Sequence, residues 1–476
     1  MNLMPVTARY RPHPLFAKLG QEFADPVAPA RFPQHVLRWR NQRWAERVGL
    51  GGLSAAEWEA HFARFEPLPD NMSPPLAMRY HGHQFRTYNP NIGDGRGFLF
   101  AQLQDGDDRL LDLATKGSGQ TPYSRFGDGR LTLKGGVREV LAAEMLEALG
   151  VYTSKPFSLF ETGEQLQRGD EPSPTRASVL VRLSHSHIRF GTFQRLAYFE
   201  RPDLIQQLIE HCCAAYYPRV LNLEGEARVA ALFGEVVEAN ARLAGSWMAA
   251  GFVHGVLNTD NLNVAGESFD YGPWRFVPVS DPSFTAAYFD ESGLYAFGRQ
   301  PEAVSWALAQ LGGALSLVCS ATLLEAALQR FGPAYQVGLR DGVFARLNLI
   351  EGALEADMEF LSDLFAWLTE SRAGWDRFFF DWYGGEASAA RAAASPQAAL
   401  YDDAAFAPIR KGLEARTGNG AAECLRHAYF EREAPVTLVI DEVENVWAPI
   451  AERDDWSRFE AKLRDIASLR EALGPS

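Results

Sequence analysis

The segment GFVHGVLNTDNLNVAGESFDYG, Gly251 to Gly272, constrains this chain more than any other. It gathers His254, Asp260, Asn261 and Asp270 within one short, glycine-punctuated stretch. A long amphipathic run, Ala227 to Ala250, precedes it, with Leu232, Val236, Leu243 and Trp247 on one stripe. That spacing predicts a helix that stops at Gly251 and delivers the chain into a polar loop. Asn261 and Asp270 offer hard oxygen donors, the kind that hold a divalent cation on a phosphate-bearing ligand. The plain alternative is a surface turn, which Asn and Asp favour anyway.

The internal spacing sharpens the reading. His254 stands seven residues before Asn261, as in the H-R-D-x-x-x-x-N catalytic loop of protein kinases, and Asp270-Tyr271-Gly272 reads like their D-F-G metal turn. One position departs. The kinase Asp would fall at Val256, and a valine cannot accept a proton from a hydroxyl. Asp260 is the only carboxylate left in the loop itself.

Upstream residues fit the same frame. Gly93, Gly95 and Gly97 alternate before two β-like runs, 98–103 and 110–114, joined by a DGDD turn and followed by Lys116. In a kinase such a loop covers phosphates and the strand Lys contacts them. Arg96 adds a cation within the loop. The tetrapeptide GDGR recurs, at 93–96 and at 127–130 with Asp128 and Gly129, on either side of Lys116. Two turns contacting one anionic ligand explain the repeat better than two chance hairpins. A helix over 137–149 carries Glu139, placed either to pair with Lys116 or to answer the dipole at the helix start. Arg182 and Arg189 flank the turn SHSHIRFG after a strand at 178–183 and could converge on a phosphate. The loop VPVSDPSF, 277–284, is a further candidate border of the site. His81 and His83 in YHGHQF read as a packed, hydrogen-bonded pair, since no third ligand of matching type is near.

Composition bounds the rest. The 476 residues are 47% hydrophobic and carry a net charge of −14, which fits a soluble protein and argues against nucleic acid as the main partner. Four cysteines make no metal spacing and suit a reducing compartment. The most apolar window, 308–328, is interrupted by Gln310, a Gly-Gly pair and Glu325, so no membrane span is expected. The N-terminus lacks a continuous apolar core, so a cytoplasmic location is expected, with a mitochondrial one as the lesser alternative.

Together, YHGHQF, DLATKGSGQTPYSRFGDGR, SHIRFG, HGVLNTDNLNV and DYGP resemble the selenoprotein O (SelO) family, well over about residues 75–310 and loosely beyond. The resemblance implies an α+β, protein-kinase-like bilobal fold: a small β-rich lobe with a key helix, a larger helical lobe, and extensions at both ends. The expected parts are an arm at 1–75, with a helical piece near 54–65, a small lobe at 76–190, a helical lobe at 191–380 and a helical extension at 381–476. The implied activity is transfer of AMP from ATP to Ser, Thr or Tyr hydroxyls of proteins, with ATP reversed relative to kinases and pyrophosphate released. Matched by motif, Gly93, Gly95, Arg96, Lys116, Asp128 and Gly129 would line the triphosphate, and Arg182 and Arg189 would contact its far end. Glu139 would position Lys116, Asn261 and Asp270 would hold Mg²⁺ or Mn²⁺ and complete the nucleotide site, and Asp260 would be the base. The alternatives are a kinase-type phosphotransferase acting on protein or small molecules, UMP transfer from UTP, and a non-catalytic nucleotide-binding scaffold. Two departures stand out: Gly135-Gly136 replaces a Ser-rich stretch, and the chain ends LREALGPS without a Cys motif, so redox control from that end is not expected.

Overall fold

The computed structural model describes residues 7–169 and 171–474. The first 190 residues form strands β1 (Ala24–Pro26), β2 (Val36–Arg40), β3 (Leu76–Met78), β4 (Gly82–Gln84), β5 (Thr87–Asn89), β6 (Leu99–Gln104), β7 (Leu110–Lys116), β8 (Leu131–Thr132), β9 (Lys155–Leu166) and β10 (Thr175–Ser184), the longer of them short apolar runs such as LFAQL and ASVLV. All but β4 and β5 join one antiparallel sheet, ordered β1-β3-β6-β7-β10-β9-β2 with β8 on β10. The two runs predicted around the DGDD turn are β6 and β7, with Leu103 opposite Leu111. β4 and β5 make a separate hairpin. The first 75 residues therefore contribute two sheet strands as well as helices α1 (Gln42–Arg47) and α2 (Ala55–Phe62). Ser54 and Glu57 close α2 with a reciprocal capping box.

Helix α3 (Leu133–Ala148) begins four residues earlier than its apolar spacing predicts. The cause is Thr132, whose hydroxyl accepts the Gly135 N–H at 3.1 Å. Glu139 thus lies beyond the first turn, where the helix dipole falls off. Gly136 lets α3 lie on the sheet: a Cβ there would sit 2.6 Å from Leu159 Cδ1 and 2.7 Å from Ser178 Oγ.

From Phe190 onward the described chain is mainly helical: α4 (Phe190–Tyr198), α5 (Pro202–Ala215), α6 (Gly225–Ala250), α7 (Gln300–Leu315), α8 (Ala321–Leu328), α9 (Phe331–Leu347), α10 (Leu354–Ser371) and further helices to Ser457–Leu473. The predicted stripe on α6 is buried, and α6 ends at Gly251 in the left-handed region (φ 68°). The Gly- and Ala-rich patch at 384–394 forms a short turn, Gly385–Ser388, and a helix, Ala389–Ala393.

One core lies between the sheet and the N-terminal helices, around Trp58, Phe62, Phe98, Phe100 and Phe157. A second and larger one joins α3 to α4–α7 and to the last helix. A third fills the space around α9, α10, Trp367, Trp375 and Trp382. No helix among the described residues is long and apolar enough to cross a membrane.

Candidate active site

A cleft of about 750 Å³ opens where the sheet meets the helical region. Gly93, Gly95, Arg96, Lys116, Asp128, Gly129, Arg182, Arg189, Asp260, Asn261 and Asp270 all line it, as does Val256. Residues scattered over some 180 positions of sequence thus share one wall. The predicted border loop 277–284 does not: it is not among the lining residues, and its Val279 forms a β-bridge with Gly374 instead.

The loop after α6 is held from both sides. Phe252–Val253 and Arg275–Phe276 form a small antiparallel pair, β11 and β12. The Val264 N–H donates to the Ile188 carbonyl and the Phe190 N–H to the Leu262 carbonyl, so the turn carrying Arg189 is stitched over the loop. The Ser268 N–H donates to the Tyr152 carbonyl at 2.8 Å, fixing the approach to Asp270. His254, buried, bonds the Phe269 carbonyl through Nε2 at 2.9 Å, so it supports the Asp270 turn and does not face the cleft. Asp270 itself is left-handed (φ 65°), a conformation Asp tolerates better than most residues.

Four cationic groups concentrate near Asp270. Lys116 Nζ lies 2.6 Å from Glu139 Oε2 and 3.2 Å from Asp270 Oδ1. Arg182 Nη1 lies 3.2 Å from both Glu139 Oε1 and Asp270 Oδ1. Arg189 Nη1 donates to Asp270 Oδ2 at 2.9 Å and to the Asp260 carbonyl. Burial alone would raise the Asp270 pKa, but Lys116, Arg189, Arg182 and Arg96 together hold it well below the usual carboxylate range. The guanidinium of Arg189 is sandwiched between Tyr80 and Phe269, 4.7 Å from each ring centroid. The two arginines do converge, and they meet at Asp270.

Asp260 has the opposite environment. Its Oδ1 is buried without a hydrogen-bond partner, and burial pushes its pKa up to about 6, with Arg189 pulling the other way. Asp94, in the first GDGR, is a residue that sequence reasoning missed. Its carboxylate accepts the Met78 N–H at 3.2 Å and lies 3.6 Å from Arg189, and burial raises its pKa. Its place inside a repeated tetrapeptide was the available signal.

The two GDGR turns touch through the segment between Thr121 and Ser124. The Tyr123 ring lies flat on Gly93, where a Cβ would come within 2.5 Å of it. The Thr121 and Ser124 hydroxyls donate to the carbonyls of Asp94 and Gly95. In the second turn Asp128 forms a two-point pair with Arg168, at 2.8 and 3.0 Å. The histidines of YHGHQF are a packed pair, His81 on the Tyr88 hydroxyl and His83 on Gln194.

Among the described residues no three His, Cys, Asp or Glu side chains gather as a metal cage. The cleft nevertheless offers oxygen donors from Asp260, Asn261 and Asp270, one of them buried and unpaired. A few carboxylate and amide oxygens, completed by substrate phosphates, are the donor set that Mg²⁺ or Mn²⁺ takes, so these residues fit such an ion.

Known proteins give the same direction. Residues 6–467 match the family described as protein adenylyltransferase SelO. A protein nucleotidyltransferase YdiU of Synechococcus elongatus is 44% identical over 94% of this chain and 93% of its own. One from Trichormus variabilis is 40% identical over 97% and 96%, and one from Myxococcus xanthus 36% identical over 93% and 90%. With a match over nearly its whole length and a cleft that collects the motif residues in one place, the chain belongs to the SelO family of protein adenylyltransferases.

Proposed function

We propose that this protein nucleotidyltransferase moves AMP from ATP to Ser, Thr or Tyr hydroxyls of other proteins, releasing pyrophosphate. The observation that carries the reading is the charge of the cleft. Arg96, Lys116, Arg125, Arg130, Arg168, Arg182 and Arg189 line it against only Asp94, Asp128, Asp260 and Asp270, in a chain whose net charge is −14. A local excess of cation in an acidic protein suits a polyphosphate.

The ion cluster on Asp270 is consistent with that ligand. Phosphate oxygens would take over Lys116, Arg182 and Arg189, and Asp270 would then be free to share an ion with Asn261. When bound, Mg²⁺ or Mn²⁺ there supplies charge neutralisation for the phosphates. Lys116 is held in place by Glu139, and Arg182 is tied to the same carboxylate, so both reach the cleft with fixed direction. Gly93, Gly95 and Gly129 line the cleft beside these cations.

Proton transfer falls to Asp260. Its pKa of about 6 keeps the carboxylate ionised near neutral pH yet basic enough to accept a hydroxyl proton. Val256 lines the cleft where a kinase carries its base, which argues against γ-phosphoryl transfer. On this reading the sheet with α3 and the helical region form a kinase-like pair of lobes, and ATP lies reversed, with the α-phosphorus toward the acceptor. A cytoplasmic site of action is part of the same reading, supported by four free cysteines of which Cys212, Cys213 and Cys319 are buried.

The test is isotopic. With a cell extract as acceptor and Mg²⁺ or Mn²⁺ present, label from α-labelled ATP should enter protein and label from γ-labelled ATP should not. Label from the γ position alone would establish a kinase. Transfer from α-labelled UTP in preference to ATP would make the donor UTP.

A further inference from the structure

The hairpin β4–β5 breaks a local rule beside the cleft. Its register, His83 opposite Tyr88 and Gln84 opposite Thr87, leaves a two-residue loop, Phe85-Arg86. Both residues have positive φ, 48° and 63°, the pattern of a type I′ turn. Asn-Gly is the unstrained choice there, and a bulky aromatic followed by arginine is a costly one. Strain of this kind persists where the side chains are needed and neighbouring structure holds them.

The neighbouring structure is the candidate catalytic loop. The His83 N–H donates to Thr259 Oγ1 at 2.8 Å and the Phe85 N–H to Asn258 Oδ1 at 3.0 Å. The Tyr295 hydroxyl donates to that same Asn258 oxygen at 2.8 Å. The hairpin is thus bolted to the two residues immediately before Asp260. Arg86 is pinned outward, 2.8 Å from Glu302 and over the Trp306 ring. Phe85 is left 36% exposed, outside the cleft lining, with its ring 5.9 Å from that of Phe289. Phe289 is 47% exposed and Tyr288, 5.1 Å beyond it, is 84% exposed. Three solvent-facing aromatics therefore form a continuous ledge that runs away from the rim of the cleft on the Asp260 side.

We propose that Phe85, Tyr288 and Phe289 form the docking ledge for the protein acceptor, taking an extended segment through an apolar side chain close to the hydroxyl that is modified. This rests on the transfer reading above. Asn258 lines the cleft with Asp260 and holds the hairpin through the Phe85 N–H, so the ledge begins at the part of the rim nearest Asp260 in the chain, where an acceptor hydroxyl would arrive. ATP, enclosed among the glycine-rich loops and the arginines, has no need of these rings.

The test uses the full-length protein, α-labelled ATP and a synthetic library of 13-residue peptides with one central Ser and randomised neighbours. Wild-type protein should label peptides with Leu, Met or Phe near the Ser about tenfold over those with Gly or Asn, the effect of burying one apolar side chain. The preference should fall to about onefold in F85N/R86G and, independently, in Y288A/F289A, with ATP affinity by calorimetry unchanged. F85N/R86G should stay folded, because the unstrained turn it installs offsets the lost contacts of Arg86 with Glu302 and Trp306. An apolar preference that survives both variants overturns the ledge, as does wild-type labelling with no apolar preference. Weakened ATP binding in both variants would reassign the rings to the nucleotide. If wild-type protein labels whole proteins but no peptide, docking through a short segment is wrong while the transfer reading stands. If it labels neither, the transfer reading falls and the ledge falls with it.

Discussion

At the scale of single residues, two carboxylates that line one cleft are set apart by their surroundings. Asp270 is surrounded by Lys116, Arg182 and Arg189 and stays ionised, while Asp260 is half-buried with Oδ1 shielded and unpaired and is pushed up to about 6. Two outcomes follow for Asp260. As base it must be ionised, so the transfer rate should fall as pH drops through about 6, and D260N should lose roughly a hundredfold or more in rate while keeping its ATP affinity. For stability the sign is reversed. The folded state holds the proton more tightly than the unfolded chain, so Asp260 subtracts stability as pH rises from about 4 through about 6, by on the order of 2–3 kcal/mol in all. D260N should therefore unfold at higher denaturant concentration than wild type at pH 8, and that gain should vanish toward pH 4. Equal midpoints at both pH values would show that the site does not penalise the charge. Arg182 and Arg189 give a further outcome. R182A or R189A should weaken ATP much more than AMP in calorimetry, because the lost contact is to phosphates that AMP lacks. R189K should not rescue R189A fully, since lysine cannot reproduce the planar stack between Tyr80 and Phe269.

At the scale of elements, α3 determines where Glu139 meets Lys116. The helix is seated by Thr132 at its start and by Gly136 against Leu159 and Ser178. G136A puts a methyl group where no space exists, and overpacking of that kind costs about 1–3 kcal/mol. The helix should lift from the sheet and lengthen the Glu139–Lys116 contact. The expected result is a lower melting temperature together with weaker ATP binding, although residue 136 does not line the cleft. A stability loss with unchanged ATP affinity would show that the Lys116–Glu139 pair tolerates the shift.

At the scale of the whole molecule, the last helix, Ser457–Leu473, closes over α3 from far away in sequence. Arg470 pairs with Glu144, and Phe459, Leu463, Ile466 and Leu469 are buried in the core that contains α3. Arg38 and Arg176 on the sheet likewise hold Asp454, whose carboxylate is lowered to about 2. Removing residues 457–476 should uncover the back of α3, lower the melting temperature and impair ATP binding in parallel. A truncated protein that binds ATP as wild type does would mean that the small sheet and α3 stand without this clamp.

What the sequence determined by itself was local and chemical. Glycine spacing, the Lys after a hairpin, the helix ending at Gly251 and the order of His254, Asn261 and Asp270 are encoded in neighbouring residues, so strands, helix and loops were legible from them. The residues that share the cleft were legible because their motif order identified them together. The tertiary structure alone decided which charges meet. That Arg182 and Arg189 close on Asp270, that Asp94 joins them, that Asp128 is shared with Arg168 and that loop 277–284 lies elsewhere all depend on distances between segments far apart in the chain. The start of α3 was missed because Thr132 outranks apolar spacing as a start signal, and the strain at Phe85-Arg86 was invisible because φ is set by pairing with β5 and by hydrogen bonds to Asn258 and Thr259. The split between Asp260 and Asp270 is a property of the packed molecule: burial pushes both carboxylates up, and only Asp270 gathers enough cations to reverse the shift.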